Sequence, residues 1–196
     1  MKTERYFIIY KPVNMVSQFI SSHKVNLLGN LNFDFPEGTH AIGRLDQNSE
    51  GLLLLTTNKK ITKLLFQGER PHVRTYLVQV KNKVSKETTD VLSKGIEISA
   101  NDGKKYITHP CIVKIVHKPK YITDPEIPLH PNAENSWLEI SLTEGKFHQV
   151  RKMVAAVHHK CIRLIRIAIE DIDIKNLLPG EVKEVDEQFF FKKLNL

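Results

Sequence analysis

The run Gly51-Leu52-Leu53-Leu54-Leu55 constrains this chain more than any other stretch. Four consecutive leucines must lie inside, as a buried strand or a helix core. They end the longer stretch HAIGRLDQNSEGLLLLTTN, residues 40–58, whose first half is polar and turn-forming. Gly43, Arg44, Asn48 and Ser49 there surround an acid, Asp46. A carboxylate mounted directly on a buried element can be aimed by a rigid scaffold, which most surface aspartates cannot.

The sequence around this stretch reads as a sheet with few helices. Arg5–Tyr10 (RYFIIY) is β-branched and aromatic, a predicted strand that Lys11-Pro12 ends. A second strand begins over 40–43, is interrupted by the Asp46 loop, and resumes over 52–56. Asn58 caps a short predicted helix over 59–67, with Ile61, Leu64 and Leu65 at helical spacing and Gly68 as its stop. Strand 75–80 (TYLVQV) alternates, and Ser85 caps a helix over 86–94 that closes at Gly95. Asn101-Asp102-Gly103 is a hairpin-type turn leading into a strand over 105–116. Pro119, Pro125, Pro128 and Pro131 make 117–135 a long loop. Strand 137–142 precedes a helix over 147–158, where Val150, Met153, Val154 and Val157 share one face. Strands over 161–169, 171–174 and 182–185 complete the chain. Most connections are too short for βαβ crossovers, so the expected class is α+β, a mainly antiparallel sheet with packed helices.

Composition bounds the function. A chain of 196 residues is expected to form a single domain over 1–196, of one body or two lobes. No apolar run approaches the ~20 residues of a membrane span, and the start is no signal peptide. Cys111 and Cys161 make no disulfide framework and suit a reducing, cytoplasmic setting. The net charge of +7 suits a polyanionic partner but equally a merely basic enzyme. His158-His159-Lys160-Cys161 has no second pair at zinc-site spacing, and no phosphate loop, dinucleotide fingerprint or serine elbow is present. Neither metal nor organic cofactor is expected.

Four groups of residues carry possible chemistry. Arg44 and Asp46 form one, though alone they read equally as an exposed turn pair. Tyr76 opens a strand, where tyrosines commonly serve packing. Residues 144–152 (EGKFHQVRK) crowd Lys146, His148, Gln149, Arg151 and Lys152 at a helix start, a corner suited to phosphate. Arg163-Leu164-Ile165-Arg166 adds two cations on a strand.

The strings GRLDQNSEGLLLLTTN, RTYLVQV, EGKFHQVRKMVAAV and RLIR, in that order, closely resemble the pseudouridine synthases of the RsuA family, which modify ribosomal RNA. The match runs from Tyr10 to Val185. The resemblance implies that Asp46 is the catalytic aspartate and that Tyr76 stacks on the flipped base. It implies that Arg151 pairs with the aspartate and keeps it ionised, and that the apolar Leu164 packs against the catalytic pocket. The implied substrate is a uridine of ribosomal RNA, most closely the 23S RNA, with transfer or messenger RNA as the alternative. A cytoplasmic monomer without cofactor is implied. Relatives often start with a small RNA-binding S4 domain, whereas this chain starts at the catalytic strand. RNA affinity is therefore expected from Lys11, Arg44, Lys146, His148, Lys152, Arg163 and Arg166. A non-catalytic RNA-binding protein on the same fold is the competing class; retention of Asp46, Tyr76 and Arg151 together argues against it.

Overall fold

The structure, a computed structural model, describes residues 3–67, 70–100, 103–125, 130 and 133–196. In chain order its strands are β1 (Tyr6–Lys11), β2 (His40–Ile42), β3 (Glu50–Thr56), β4 (Arg74–Lys81), β5 (Glu97–Ser99), β6 (Lys105–Ile107), β7 (Ile112–Val116), β8 (Asn135–Leu142), β9 (Cys161–Ile169), β10 (Ile172–Asp173) and β11 (Val182–Val185). Its helices are α1 (Ile61–Gln67), α2 (Lys86–Ser93), α3 (Gln149–Ala156) and α4 (Glu187–Leu194). The chain divides into two compact units, Met1–His72 with Ile165–Leu196, and Val73–Leu164. Antiparallel pairings dominate both, which makes the class α+β with a mixed, mostly antiparallel sheet.

In the first unit β3 is the inner strand. One edge bonds antiparallel to β1 from Glu50's neighbour Gly51, opposite Lys11, to Thr56, opposite Tyr6. The other edge is shared: β2 pairs antiparallel with residues 54–56, and β9 runs parallel at Glu50 and Gly51. Both β1 and β3 are buried at every residue, which is why they read as continuous apolar runs. Successive residues of β1 find aromatic cover on opposite faces. Tyr6 packs on Phe190 and Phe191 of α4, with ring centroids 4.8 and 5.8 Å apart. Phe7 packs edge-on against Phe33 and Phe35. The leucine run is therefore strand, and residues 40–56 form an antiparallel hairpin with the Asp46 loop at its turn, instead of one interrupted strand.

Gly51 takes φ +102°, and a β-carbon there would come within 2.3 Å of the Arg166 carbonyl oxygen. The row Lys11–Gly51–Arg166 thus crosses three strands with a glycine between two buried cations. Lys11 is wholly buried, and its ammonium donates to the carbonyls of Pro12 and Met15 at 2.8 and 2.7 Å. Burial is the main reason its pKa falls from 10.5 to about 8; Glu50 and Asp46 pull it back up, and Arg166 adds to the fall.

In the second unit β4 and β8 pair antiparallel over eight positions, from Arg74↔Leu142 to Lys81↔Asn135, and β7 extends β8. Helices α2 and α3 cover this layer. Val78, Val80, Leu138, Ile140, Leu92, Val150, Met153 and Val154 make its core. Ser85 caps α2 by accepting from the Thr88 amide, as its position predicts. The strand expected over 105–116 is broken in two. Around Pro110 its donors are diverted: His109 N–H to Glu144 and Cys111 N–H to the Ser93 carbonyl. Of the turn expected at 101–103, Asn101 and Asp102 lie outside the described residues, as does Gly68; β5 and β6 do pair antiparallel on either side. Helix α4 is an addition to the sequence reading, capped by Asp186, whose side chain accepts from the Phe189 amide.

Two stability outcomes follow from the row of buried cations. Gly51→Ala combines left-handed strain with a backbone clash, so a loss of about 2–4 kcal/mol is expected, a fall in Tm on the order of 5–15 °C. For Lys11 the folded pKa lies below the unfolded one. At neutral pH the chain bears the whole cost of a buried charge, and between about pH 8 and about pH 10 the unfolded state holds more protons, so stability rises with pH. Denaturant melts of wild type against Lys11→Met should show the wild type gaining ground across that window; parallel curves would mean the ammonium is not buried.

Candidate active site

The Asp46 loop is held at both shoulders. Gly43, at φ +72°, lets the chain leave β2 where a β-carbon would meet the Phe66 ring of α1 at 2.8 Å. Leu45 is buried, and the Ser17 hydroxyl grips it twice, accepting from its amide and donating to its carbonyl, both at 2.9 Å. On the far side the buried Ser49 donates its amide to the Asp46 carbonyl at 3.0 Å. Between these anchors Asp46 is half-buried, while Arg44 and Gln47 are exposed. The carboxylate stands in the field of the buried Lys11 ammonium. Glu50, also buried, balances that cation and accepts from the Tyr10 hydroxyl at 3.3 Å. The Arg166 guanidinium is fixed by a bond from Nε to the Leu52 carbonyl at 2.8 Å.

The second unit brings together three of the other predicted residues. Leu164 is buried in the core cluster, and Tyr76, half-buried on β4 opposite Ile140, packs against that same cluster. Arg151 leaves α3 beside the cluster members Val150 and Val154, and its Nη1 approaches the Cys161 sulfur at 3.6 Å. Burial pushes the Cys161 thiol up, against the opposing pull of Arg151, so it remains a neutral thiol at physiological pH.

The corner at residues 144–149 is built on Glu144. Its carboxylate accepts from the Tyr106 hydroxyl at 2.5 Å, the His109 amide at 2.8 Å and the Gln149 side chain at 2.5 Å. Burial raises its pKa, but these donors outweigh burial and hold the carboxyl below its ordinary value. Gln149 also accepts from the Lys146 amide at 2.8 Å. His148 turns the chain into α3 from a left-handed conformation, φ 54° and ψ 26°, which shortens the predicted helix to begin at Gln149.

The cations expected at the RNA surface sort into two kinds. Arg44 and Lys146 are exposed, and His148 and Lys152 partly so. Lys11, Arg163 and Arg166 are buried, and Arg163 donates to the Thr123 carbonyl at 2.7 Å. Their burial, with each charged group bonded to a backbone carbonyl, argues against these three as phosphate contacts and for a structural part. Sequence reasoning missed Ser17, Glu50 and the anchoring role of Glu144. Glu50 had a legible signal, an acid directly before a leucine run; Ser17 had none, since its partner is 28 residues away. Among the described residues no group of three or more His, Cys, Asp or Glu side chains is arranged to hold a metal ion. No helix among them is long and apolar enough to cross a membrane.

Known proteins resemble this chain in sequence and in backbone. A sequence profile of the RNA pseudouridylate synthase family matches residues 5–156. The ribosomal large subunit pseudouridine synthase E of Vibrio parahaemolyticus is 31% identical over 186 residues, 94% of this chain and 75% of that protein. The synthase of the same name from Xanthomonas axonopodis pv. citri is 33% identical over 174 residues, 88% of this chain and 89% of that one. A crystal structure of a pseudouridylate synthase superposes with a TM-score of 0.79 at 25% identity, covering 99% of this chain and 75% of the other. Agreement in sequence across most of the chain, and in the course of its backbone, makes this protein a member of the RNA pseudouridylate synthase family.

Proposed function

We propose that this enzyme isomerises a uridine of ribosomal RNA to pseudouridine, with Asp46 as the carboxylate that acts on the flipped nucleotide. The observation that carries the assignment is the anchoring of Asp46: a half-buried acid whose neighbour Leu45 is clasped by the Ser17 hydroxyl and whose own carbonyl accepts from the Ser49 amide. The names of the 31–33% identical relatives support large-subunit RNA as the substrate. A substrate of that kind calls for a cytoplasmic enzyme, and one copy of the chain carries every residue assigned here, which suits a monomer.

The reaction breaks the N1–C1′ bond, turns the uracil, and joins C5 to C1′. The proton that leaves C5 is matched by one gained at N1, so no atom or electron is supplied from outside. The base must first leave its stack, and the Tyr76 ring offsets the lost stacking. An ionised carboxylate then acts at the ribose, as nucleophile at C1′ or as base at C2′. Arg151 is assigned the role of keeping that carboxylate charged, and Leu164 that of an apolar wall excluding water; both assignments rest on the family motifs. Arg44, Lys146, His148 and Lys152 are the accessible cations assigned to the RNA backbone.

Ribosomal RNA tritiated at uridine C5 should release tritium with the wild type. Asp46→Asn should lower the rate on the order of 10³-fold or more. Release from a transfer RNA pool with none from ribosomal RNA would reassign the substrate, and unchanged release by Asp46→Asn would remove the carboxylate from the chemistry. Arg151→Met should lower turnover by roughly 10²–10³-fold with an unchanged melting curve. Turnover near wild type would end its assigned role.

A further inference from the structure

Phe147 is a large aromatic side chain that the core does not take in: 54% of it is exposed. It is nonetheless placed with care. Its ring stacks on the His148 imidazole, with centroids 3.7 Å apart and planes 17° from parallel. His148 itself has a left-handed backbone, an unfavourable conformation for a residue with a β-carbon. Glu144, with its bonds to Tyr106, His109 and Gln149, holds the corner beneath rigid. One cation lies near the Phe147 ring, and a second, on the preceding residue, lies over a neighbouring ring. The Lys152 ammonium lies 5.4 Å from the Phe147 centroid while donating to the Ser99 carbonyl, and the Lys146 ammonium lies 4.5 Å from the Tyr106 centroid.

An exposed apolar ring alone would suit any oily partner. Exposed Ile112 and Ile115 on β7 are of that kind, and nothing identifies what covers them. The Phe147 patch differs because its ring is stacked on an imidazole, with the Lys152 ammonium near the ring and exposed Lys146 as the preceding residue. That combination fits a ligand with a flat π-face and adjoining negative charge, which is an unpaired nucleotide within a single strand. A duplex offers the charges but hides the faces of its bases. We propose that Phe147 and His148 form a stacking platform for an unpaired RNA base other than the isomerised one, with Lys146 and Lys152 receiving the adjoining phosphates. This rests on RNA being the substrate, and it makes the enzyme favour RNA that offers a further unpaired base.

The test compares affinities for one fluorescein-labelled RNA strand, alone and annealed to its complement. Phe147→Ala and Phe147→Leu should each bind the single strand roughly tenfold more weakly and the duplex as the wild type does. Phe147→Trp should restore single-strand affinity; in a Trp137→Phe background, which removes the native tryptophan, its emission should be quenched by the single strand. Wild-type affinity of Phe147→Leu for the single strand would overturn the platform, as would equal losses on single strand and duplex. Tritium release separates this result from the activity. A wild type that releases tritium while Phe147→Leu binds normally refutes the platform alone. A wild type that binds single strands through Phe147 without releasing tritium refutes the isomerisation alone.

Discussion

The passage of β3 beside β9 at Gly51 is the constraint on which the first unit depends. The backbones approach so closely that no β-carbon fits, and the same glycine lies opposite Lys11 in the pairing with β1. Two cations are thereby drawn into the interior on either side of a residue with no side chain. Buried charge must be answered by polar partners, and the answer is local: main-chain carbonyls for Lys11, the Leu52 carbonyl for Arg166, and the Glu50 carboxylate at the head of β3. Asp46 acts on this arrangement through the Lys11 ammonium, whose charge it favours together with Glu50, so part of its electrostatic setting follows from the register of the sheet.

The second unit reaches a comparable end by other means. There the anchor is an anion, Glu144, that gathers donors from β6, from the segment after it and from α3. Gathering them fixes where α3 starts and therefore where Arg151, two residues into the helix, leaves it. The apolar face of that helix joins Leu164 and Tyr76 in one core, so the residues assigned to chemistry share their support with the packing of the unit. Losses of activity by core mutation here would be losses of aim as much as of stability.

How much of this was legible in the sequence depends on the range of the interaction. Ser85 and the face of Val150, Met153 and Val154 were read correctly because their partners lie within one helical turn, whereas Asn58, expected to cap α1, accepts from the Lys60 amide ahead of a helix that begins at Ile61. The break at Pro110 was missed because the diverted donors go to Glu144 and Ser93, far along the chain. Helix α4 was missed because three consecutive phenylalanines mask a helical period; the Tyr6 contact decides their state. The basic residues mislead most. Lys11, Arg163 and Arg166 look identical in sequence to Lys146 and Arg44, and only the strand pairings turn the former three inward. Asp46 was singled out by its motif, while the hydroxyl that clasps its neighbour Leu45 had no such signal.

The double bond from Ser17 to the main chain of Leu45 separates two duties within one loop. It reads amide and carbonyl, groups that every residue other than proline supplies, so the aim of the acid is insensitive to the letters around it. Arg44 and Gln47, exposed on either side, stand outside that clasp. A loop built this way can drift at its exposed positions while the carboxylate keeps its address. Variation of sequence at constant backbone geometry is the evolutionary freedom that a single hydroxyl confers.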